Sequence, residues 1–246
     1  MRYSLFSIAR HALNSHKGWT EAWKKPPLQK QYDVVIIGGG GHGLATAYYL
    51  AKFNNNLRVA VLEKGWIGGG NTGRNTTGIR SNYFLTENAK FYDHSLKLWE
   101  NLTQELNFNL MFSQRGMVSL CHSSSDGERL ATRYNALRLN DIDGDTLTLD
   151  QLKIMLPDLN YSPAARFPIS GAVIQRRAGV ARHDAVAWGF ARAASRLGVD
   201  IIENCEVTNI DISKNCVTSI QTSKGNVACE KIGTCVAGHT SEIARM

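Results

Sequence analysis

No run in this sequence approaches the ~20 consecutive apolar residues of a membrane-spanning helix, so no bilayer span is expected. The five cysteines, Cys121, Cys205, Cys216, Cys229 and Cys235, are odd in number and form no C-x-x-C. Neither a disulfide framework nor a zinc site is indicated, and no other metal site is expected. Reduced thiols in a cytoplasmic setting are the simplest reading. Internal repeats and low-complexity tracts are missing as well. The formal charge of +7 suits an anionic partner. Yet it comes with no base-reading module and no basic, aromatic stacking platform, so nucleic acid is not expected as a ligand. Cofactor phosphates or an acidic partner subunit explain the charge equally well.

What is present begins at Val34. Val34–Ile37 is a continuous apolar run of β-branched residues, the pattern of a parallel strand buried on both faces. Gly38, Gly40 and Gly43 follow with G-x-G-x-x-G spacing, Leu44–Phe53 reads as a helix, and Val59–Leu62 as a second buried strand. Glu63 ends that strand, 20 residues after Gly43. Gly38 permits a tight turn, Gly40 lets a pyrophosphate approach the backbone, and Gly43 lets the helix pack close to the sheet. The helix N-terminus presents N–H groups and a partial positive charge to the phosphates. Glu63 is placed to accept hydrogen bonds from ribose hydroxyls and to repel a 2′-phosphate, which argues against NADP. Strand, helix, second strand and acid in register are the context that confirms a dinucleotide-binding motif. The motif alone does not separate FAD from NAD. His42 is expected to offer only its backbone, with its imidazole at the surface.

Residues 64–81, K-G-W-I-G-G-G-N-T-G-R-N-T-T-G-I-R-S, form a loop too long for a simple connection. Loops of that length in compact domains are often functional. Its backbone N–H groups, hydroxyls and Arg74 suit a phosphate or a flavin ring. The plainer alternative is a mobile surface loop. Thr86 is expected to cap a helix with Phe91, Leu98, Leu102 and Leu106 on one face and Trp99 beside them. Leu110–Phe112, Gly116–Cys121 and Gly171–Arg176 look like strands. Arg129–Leu139 reads as a helix with Leu130, Tyr134 and Leu137 inward, and a short helix starts at Thr148 and ends at Pro157. Ala185–Leu197 reads as a helix stopped by Gly198, followed by a strand over Val199–Ile202. Val207–Ile212, Val217–Thr222 and Asn226–Cys229 suggest an antiparallel meander, and Lys231–Ala237 a further apolar strand. Before the first strand, Leu5, Phe6, Ile8, Ala9 and Leu13 share a helical face. Arg2, Arg10 and Lys17 are basic, and no acid precedes Glu21. This faintly resembles a mitochondrial transit peptide. The preferred reading is an arm, with Trp19, Trp23, Pro26 and Pro27, that packs on the body or on another subunit.

With G-G-G-G-H-G, V-L-E-K-G-W, G-G-G-N-T-G-R-N-T-T and R-H-D-A-V-A-W-G-F-A-R-A-A in view, the chain resembles the β subunits of bacterial heterotetrameric sarcosine oxidases. These belong to the wider family of FAD-dependent amine and D-amino-acid oxidoreductases. The resemblance runs from about Tyr32 to the end and covers the N-terminal portion of such subunits. It implies an α/β fold: an N-terminal arm (1–30), an FAD-binding domain in two parts (31–110 and 181–246), and the start of an interleaved α+β substrate domain (111–180). It also implies a noncovalent FAD held by Gly38, Gly40, Gly41, His42, Gly43 and Glu63. Asn71, Arg74, Asn75, Thr76 and Gly78 lie toward the flavin end, and the Val207 backbone meets the adenine. Gly78 departs from the bulkier apolar residue expected there.

The family's second flavin, FMN, is attached through its 8α position to a histidine, here His183, with Arg182 beside it. A neutral imidazole nitrogen can attack the electrophilic 8α carbon of a flavin quinone-methide form, and a cation stabilises the charge left on the ring. Without the family, His183 is only a histidine before a helix and Asp184 a capping or first-turn acid. The implied activity is sarcosine oxidation by hydride transfer to FAD. Electrons then pass to FMN and oxygen, forming hydrogen peroxide. The one-carbon unit goes to tetrahydrofolate on the α subunit, which also binds NAD, and γ and δ subunits complete the heterotetramer. No residue stands out as a catalytic acid or base. The alternatives are an FAD-dependent dehydrogenase of another secondary amine or amino acid, and an inactive cofactor-binding fragment.

Overall fold

The computed structural model describes residues 4–15, 17–18, 21–83 and 85–246. Arg2 and Trp19 of the expected arm lie outside the described residues. In chain order the elements are α1 (Leu5–Leu13), β1 (Gln31–Ile37), α2 (Gly41–Phe53), β2 (Val59–Leu62), β3 (Gly78–Ile79), α3 (Thr86–Glu105) and β4 (Met117–Cys121). Then follow α4 (Ser124–Leu139), β5 (Asp145–Leu147), α5 (Leu149–Met155), β6 (Gly171–Gln175), β7 (Gly179–Val180) and α6 (His183–Arg196). The last are β8 (Asp200–Ile202), β9 (Val207–Ser213), β10 (Cys216–Thr222), β11 (Gly225–Thr234) and α7 (Thr240–Ile243). The chain divides into two compact units, residues 1–67 with 191–246, and residues 68–190.

The first unit is built on a six-stranded sheet of order β8-β2-β1-β11-β10-β9. β1 pairs in parallel with β2 on one side, Val34 opposite Val59 to Ile37 opposite Leu62, and with β11 on the other. β2 pairs in parallel with β8. Val34–Ile37 and all of β2 are buried, as strands covered on both faces must be. One face packs Val35, Ile37, Ala60, Leu62, Ile202, Ile210, Ile220 and Val227 into a single core. The arm lies on this unit: Lys24 N–H donates to Ser195 Oγ at 3.0 Å, and Leu28 packs against the core. The Tyr32 hydroxyl accepts from Gln29 N–H and donates to Asp200 Oδ2 at 2.8 Å. Burial, with Asp200 beside it, raises that phenol well above the ordinary tyrosine range. The apolar side chains of α1 find no cover here, with Leu5, Phe6 and Leu13 all more than four-fifths exposed.

Several sequence expectations are corrected. The meander strand at Asn226–Cys229 and the strand at Lys231–Ala237 are one continuous strand, β11. Its first residues pair antiparallel with β10, up to Ala228 opposite Ser219, and the rest pair in parallel with β1. C-E-K contains no turn former to break it, and the change of pattern marks a change of partner. It stops at Thr234, and Ala237 takes a left-handed φ of +48°. α2 starts at Gly41 rather than Leu44 and α6 at His183 rather than Ala185. Gly198, at φ +91°, follows α6 as expected.

The second unit holds a three-stranded antiparallel sheet, β4-β6-β5, and a two-stranded ladder, β3-β7. α4 brings Leu130 against Val173 and Cys121, while α5 brings Leu152 against Leu147 and Ile174. Thr148 caps α5 in a full capping box with Gln151. α4 begins at Ser124, five residues before the expected start, with Ser123 as its cap. Thr86 does not cap α3, because the cap position is Leu85 and no side chain bonds there. Phe91 and Leu98 are 70% and 40% exposed, and the buried stripe of α3 is Ala89, Leu96 and Leu102. Small Ala89 packs with Leu137 and Ile142. Leu110–Phe112 forms no strand, since Met111 adopts φ +54° and breaks the extension.

Candidate cofactor-binding site

The direction of strand succession reverses at β1. From β1 the chain passes through α2 to β2 on one side, while β11 lies on the other. Ligands of open α/β sheets bind at the C-terminal ends of the strands at such a reversal, and the glycine turn sits there. Gly38 has φ +109°, and a Cβ on it would come within 2.5 Å of the Cys235 carbonyl oxygen. A Cβ on Gly39 would meet Glu63 Cβ at 2.9 Å, and one on Gly43 would collide with the Gly38 carbonyl. The backbones of β1, α2 and the end of β11 are therefore as close as glycine permits. Gly40 is the cap position of α2, with no side-chain cap and no acid in the first turn. The helix thus keeps its positive end for an outside anion.

Glu63, just past β2, faces the same turn. Its Oε2 accepts Gly39 N–H at 2.7 Å and its Oε1 accepts Gly65 N–H at 2.8 Å. These bonds fix the carboxylate, and its remaining lone pairs suit a diol. Cys205 N–H donates to the Glu63 carbonyl at 2.8 Å, which draws the chain leading to buried Val207 alongside. His42 is exposed and borders a shallow hollow of about 550 Å³ along α2, together with Ala45, Thr46, Tyr49 and Phe53. Gly38, Gly40, Gly41, His42, Gly43, Glu63 and Val207 all belong to the first unit.

The other expected residues belong to the second unit. Asn71 and Arg74 bound a 3-10 turn, and Asn71, Arg74, Asn75, Thr76 and Gly78 are exposed. Asn75 shapes the loop, donating from Nδ2 to the Thr72 carbonyl and accepting Thr77 N–H at 2.7 Å. Thr77 sits at φ +60°, which no sequence signal announced. Arg80 follows in the same loop. Its guanidinium donates to Asn82 Oδ1 at 2.6 Å and lies 4.4 Å over the Tyr83 ring, and among the described residues it forms no ion pair. A half-buried cation so placed is able to hold an anion.

His183 opens α6, and its Nδ1 is one of two buried side-chain atoms without a hydrogen-bond partner among the described residues, the other being Trp23 Nε1. Arg182 is exposed and donates from Nε and Nη2 to the two oxygens of Asp184, at 3.1 and 2.7 Å. That guanidinium holds the Asp184 carboxyl below its usual range, against a smaller opposing effect of burial. Asp184 is a first-turn acid of α6. Its charge offsets that of Arg182, so Arg182 is a restrained cation rather than a free one.

The mixed sheet with its parallel strands β8, β2, β1 and β11, the glycine turn, the uncapped helix and the acid that faces the turn define an α/β protein of the dinucleotide-binding type. The chain belongs to the DAO family of FAD dependent oxidoreductases, which it matches over residues 33–246. It is 51% identical over its whole length to the sarcosine oxidase subunit beta of Rhizobium meliloti (strain 1021), of which it covers 59%. It is 50% identical over 224 residues to that of an Arthrobacter species, covering 91% of this chain and 55% of that protein. Among solved structures, L-proline dehydrogenase from P. horikoshii superposes with a TM-score of 0.82 at 26% identity, over 89% of this chain and 56% of that one. The chain thus spans less than three-fifths of the length of these relatives. No helix among the described residues is long and apolar enough to cross a membrane.

Proposed function

We propose that this chain is the nucleotide-binding portion of a flavin-dependent oxidoreductase that acts on the CH–NH bond of sarcosine, as the β subunit of a hetero-oligomer. The glycine turn against Cys235 and Glu63 carries the reading, because its close approaches serve a bound dinucleotide. The 51% identity to a sarcosine oxidase subunit beta supports the substrate. When bound, FAD supplies a two-electron acceptor that no side chain provides. The backbone of Gly38–Gly43 and the start of α2 neutralise the pyrophosphate, Glu63 orients the ribose, and the Val207 backbone meets the adenine. Asn71, Arg74, Asn75, Thr76 and Gly78 serve the flavin end.

A second flavin, FMN, is proposed on His183. The unpartnered Nδ1 at the start of α6 supports it, because a ring nitrogen without a hydrogen-bond partner keeps its bonding capacity for a ligand. Arg182, restrained by Asp184, orients that flavin. The partners in this reading are α, γ and δ subunits, with NAD and tetrahydrofolate on the α subunit and hydrogen peroxide and glycine as products.

Anaerobic mixing of the isolated assembly with sarcosine tests this. Bleaching of the flavin absorbance, followed by peroxide formation on admitting air, is expected. The L-proline dehydrogenase likeness favours a second reading, a dehydrogenase of another secondary amine or amino acid. Bleaching by proline or another secondary amine or amino acid and not by sarcosine selects it, and bleaching by none of them overturns both.

A further inference from the structure

Gln175 ends the apolar run G-A-V-I-Q of β6 and is 1% exposed. Its carboxamide is fully engaged within the second unit. Oε1 accepts Ser81 N–H at 3.0 Å, while Nε2 donates to Ser81 Oγ at 2.7 Å and to Asp143 Oδ1 at 3.0 Å. Asp143 accepts Arg177 N–H through Oδ2 at 2.8 Å. These partners fix the orientation of the amide, since only its oxygen accepts an N–H and only its nitrogen serves a carboxylate. Ser81 is fully buried and ends the long loop that begins at Lys64. A buried network with every member satisfied makes rigid what it joins.

What it joins is a strained segment. Thr77 is β-branched at φ +60°, a conformation such residues rarely adopt. Strain of this kind persists only where the surroundings over-determine it, and it gathers at functional sites. Asn75 Oδ1 accepts Thr77 N–H, and the Thr77 carbonyl accepts Ala181 N–H at 3.2 Å. Gly78 and Ile79 then pair with Val180 and Gly179. The Ser81–Gln175 clamp completes this series. It ties the loop to the stretch of chain that leads from β6 through β7 to His183.

We propose that Gln175, braced by Asp143, is a positioning residue for the flavin-facing loop: by clamping Ser81 it holds Thr76–Gly78 in the conformation that receives the flavin end of FAD. The proposal rests on the reading above that the chain binds FAD through this loop. Gln175 acts through Ser81 and touches no cofactor itself.

The test uses the full-length protein, isolated with any subunits that accompany it, as wild type, Ser81→Ala, Gln175→Leu and Leu152→Ala. Leu152 is fully buried in the same unit, in α5, and reports the effect of destabilisation alone. The FAD dissociation constant, the visible circular dichroism of the bound flavin and the melting temperature are measured for each. Leu152→Ala is expected to melt lower with an unchanged dissociation constant and flavin dichroism. Ser81→Ala and Gln175→Leu are expected to raise the dissociation constant by about 10-fold or more and to alter the dichroism. Ser81→Ala, which removes one acceptor, decides the matter if Gln175→Leu does not fold. Clamp variants that melt lower yet keep the wild-type dissociation constant and dichroism overturn the proposal. A wild type that binds no FAD refutes the functional reading itself, and the clamp's role with it.

Discussion

Replacing Gly43 with alanine separates what the helix wants from what the turn requires. Inside a helix, alanine is better than glycine by about 0.8–1 kcal/mol. At Gly43 the added Cβ would collide with the Gly38 carbonyl and come within 3.3 Å of Ile36 Cγ2. The first is turn backbone and the second belongs to a buried strand, so neither is the free end of a flexible chain. α2 must move off the turn, and overpacking of this kind costs about 1–3 kcal/mol. The net loss of stability is then small, about 0–2 kcal/mol after the helix preference is subtracted. The loss of FAD affinity is larger, because the same movement displaces the N–H groups at the start of α2. A charge-assisted hydrogen bond of about 1.5–3 kcal/mol corresponds to a loss of roughly 10- to 100-fold. Gly127→Ala is the control. Gly127 lies in α4, and its added Cβ meets nothing within 4 Å. That variant is expected to gain about 0.5–1 kcal/mol and to bind FAD unchanged. Thermal melts and flavin-fluorescence titrations read both quantities. Gly43→Ala holding FAD as tightly as wild type would refute the reasoning.

Glu63→Gln keeps the shape of the side chain and removes its charge. It is expected to weaken FAD binding by about 10-fold or more, and an unchanged titration would remove Glu63 from the ribose site. Arg177 donates from Nε and Nη2 to both oxygens of Glu100, at 2.8 and 2.9 Å, and this holds Glu100 below its usual range. A carboxylate depressed in the folded state stabilises above its unfolded pKa, and the benefit is lost as pH falls through the folded value. For this partly exposed pair the effect is about 1 kcal/mol at neutral pH. The melting-temperature gap between wild type and Glu100→Gln should begin to narrow as the pH falls below the ordinary glutamate range and go on narrowing as it falls further, and a gap that does not change with pH contradicts the assignment. Among the five thiols, Cys216 is exposed while Cys121, Cys205 and Cys229 are buried, and burial raises Cys121 and Cys229. Brief alkylation of the native protein should therefore label Cys216 first, as peptide mapping will show.

The nucleotide fold was legible because its signals are local and mutually consistent. An apolar strand, three spaced glycines and a helix, followed by a second apolar strand, point to one fold, and the structure builds that parallel β1-α2-β2 unit. β11 was misread because a strand's residues do not announce that its partner changes at Ala228. The face of α3 was misread because small Ala89, rather than a large apolar residue, marks its closest packing. Gln175 carried a faint signal, a polar residue ending an apolar strand, but its partner Ser81 is 94 residues away and only the fold brings them together. Thr77 carried none, since nothing about a threonine in a polar loop foretells a left-handed backbone. His183 was nameable only through family resemblance. Its unpartnered Nδ1 is a property of tertiary packing.

Acid precipitation of the isolated assembly tests the flavoprotein reading most directly. FAD released into the supernatant, together with a flavin-bearing peptide that contains His183 and has gained the mass of FMN, is the predicted result. No flavin in the supernatant and an unmodified His183 would contradict it.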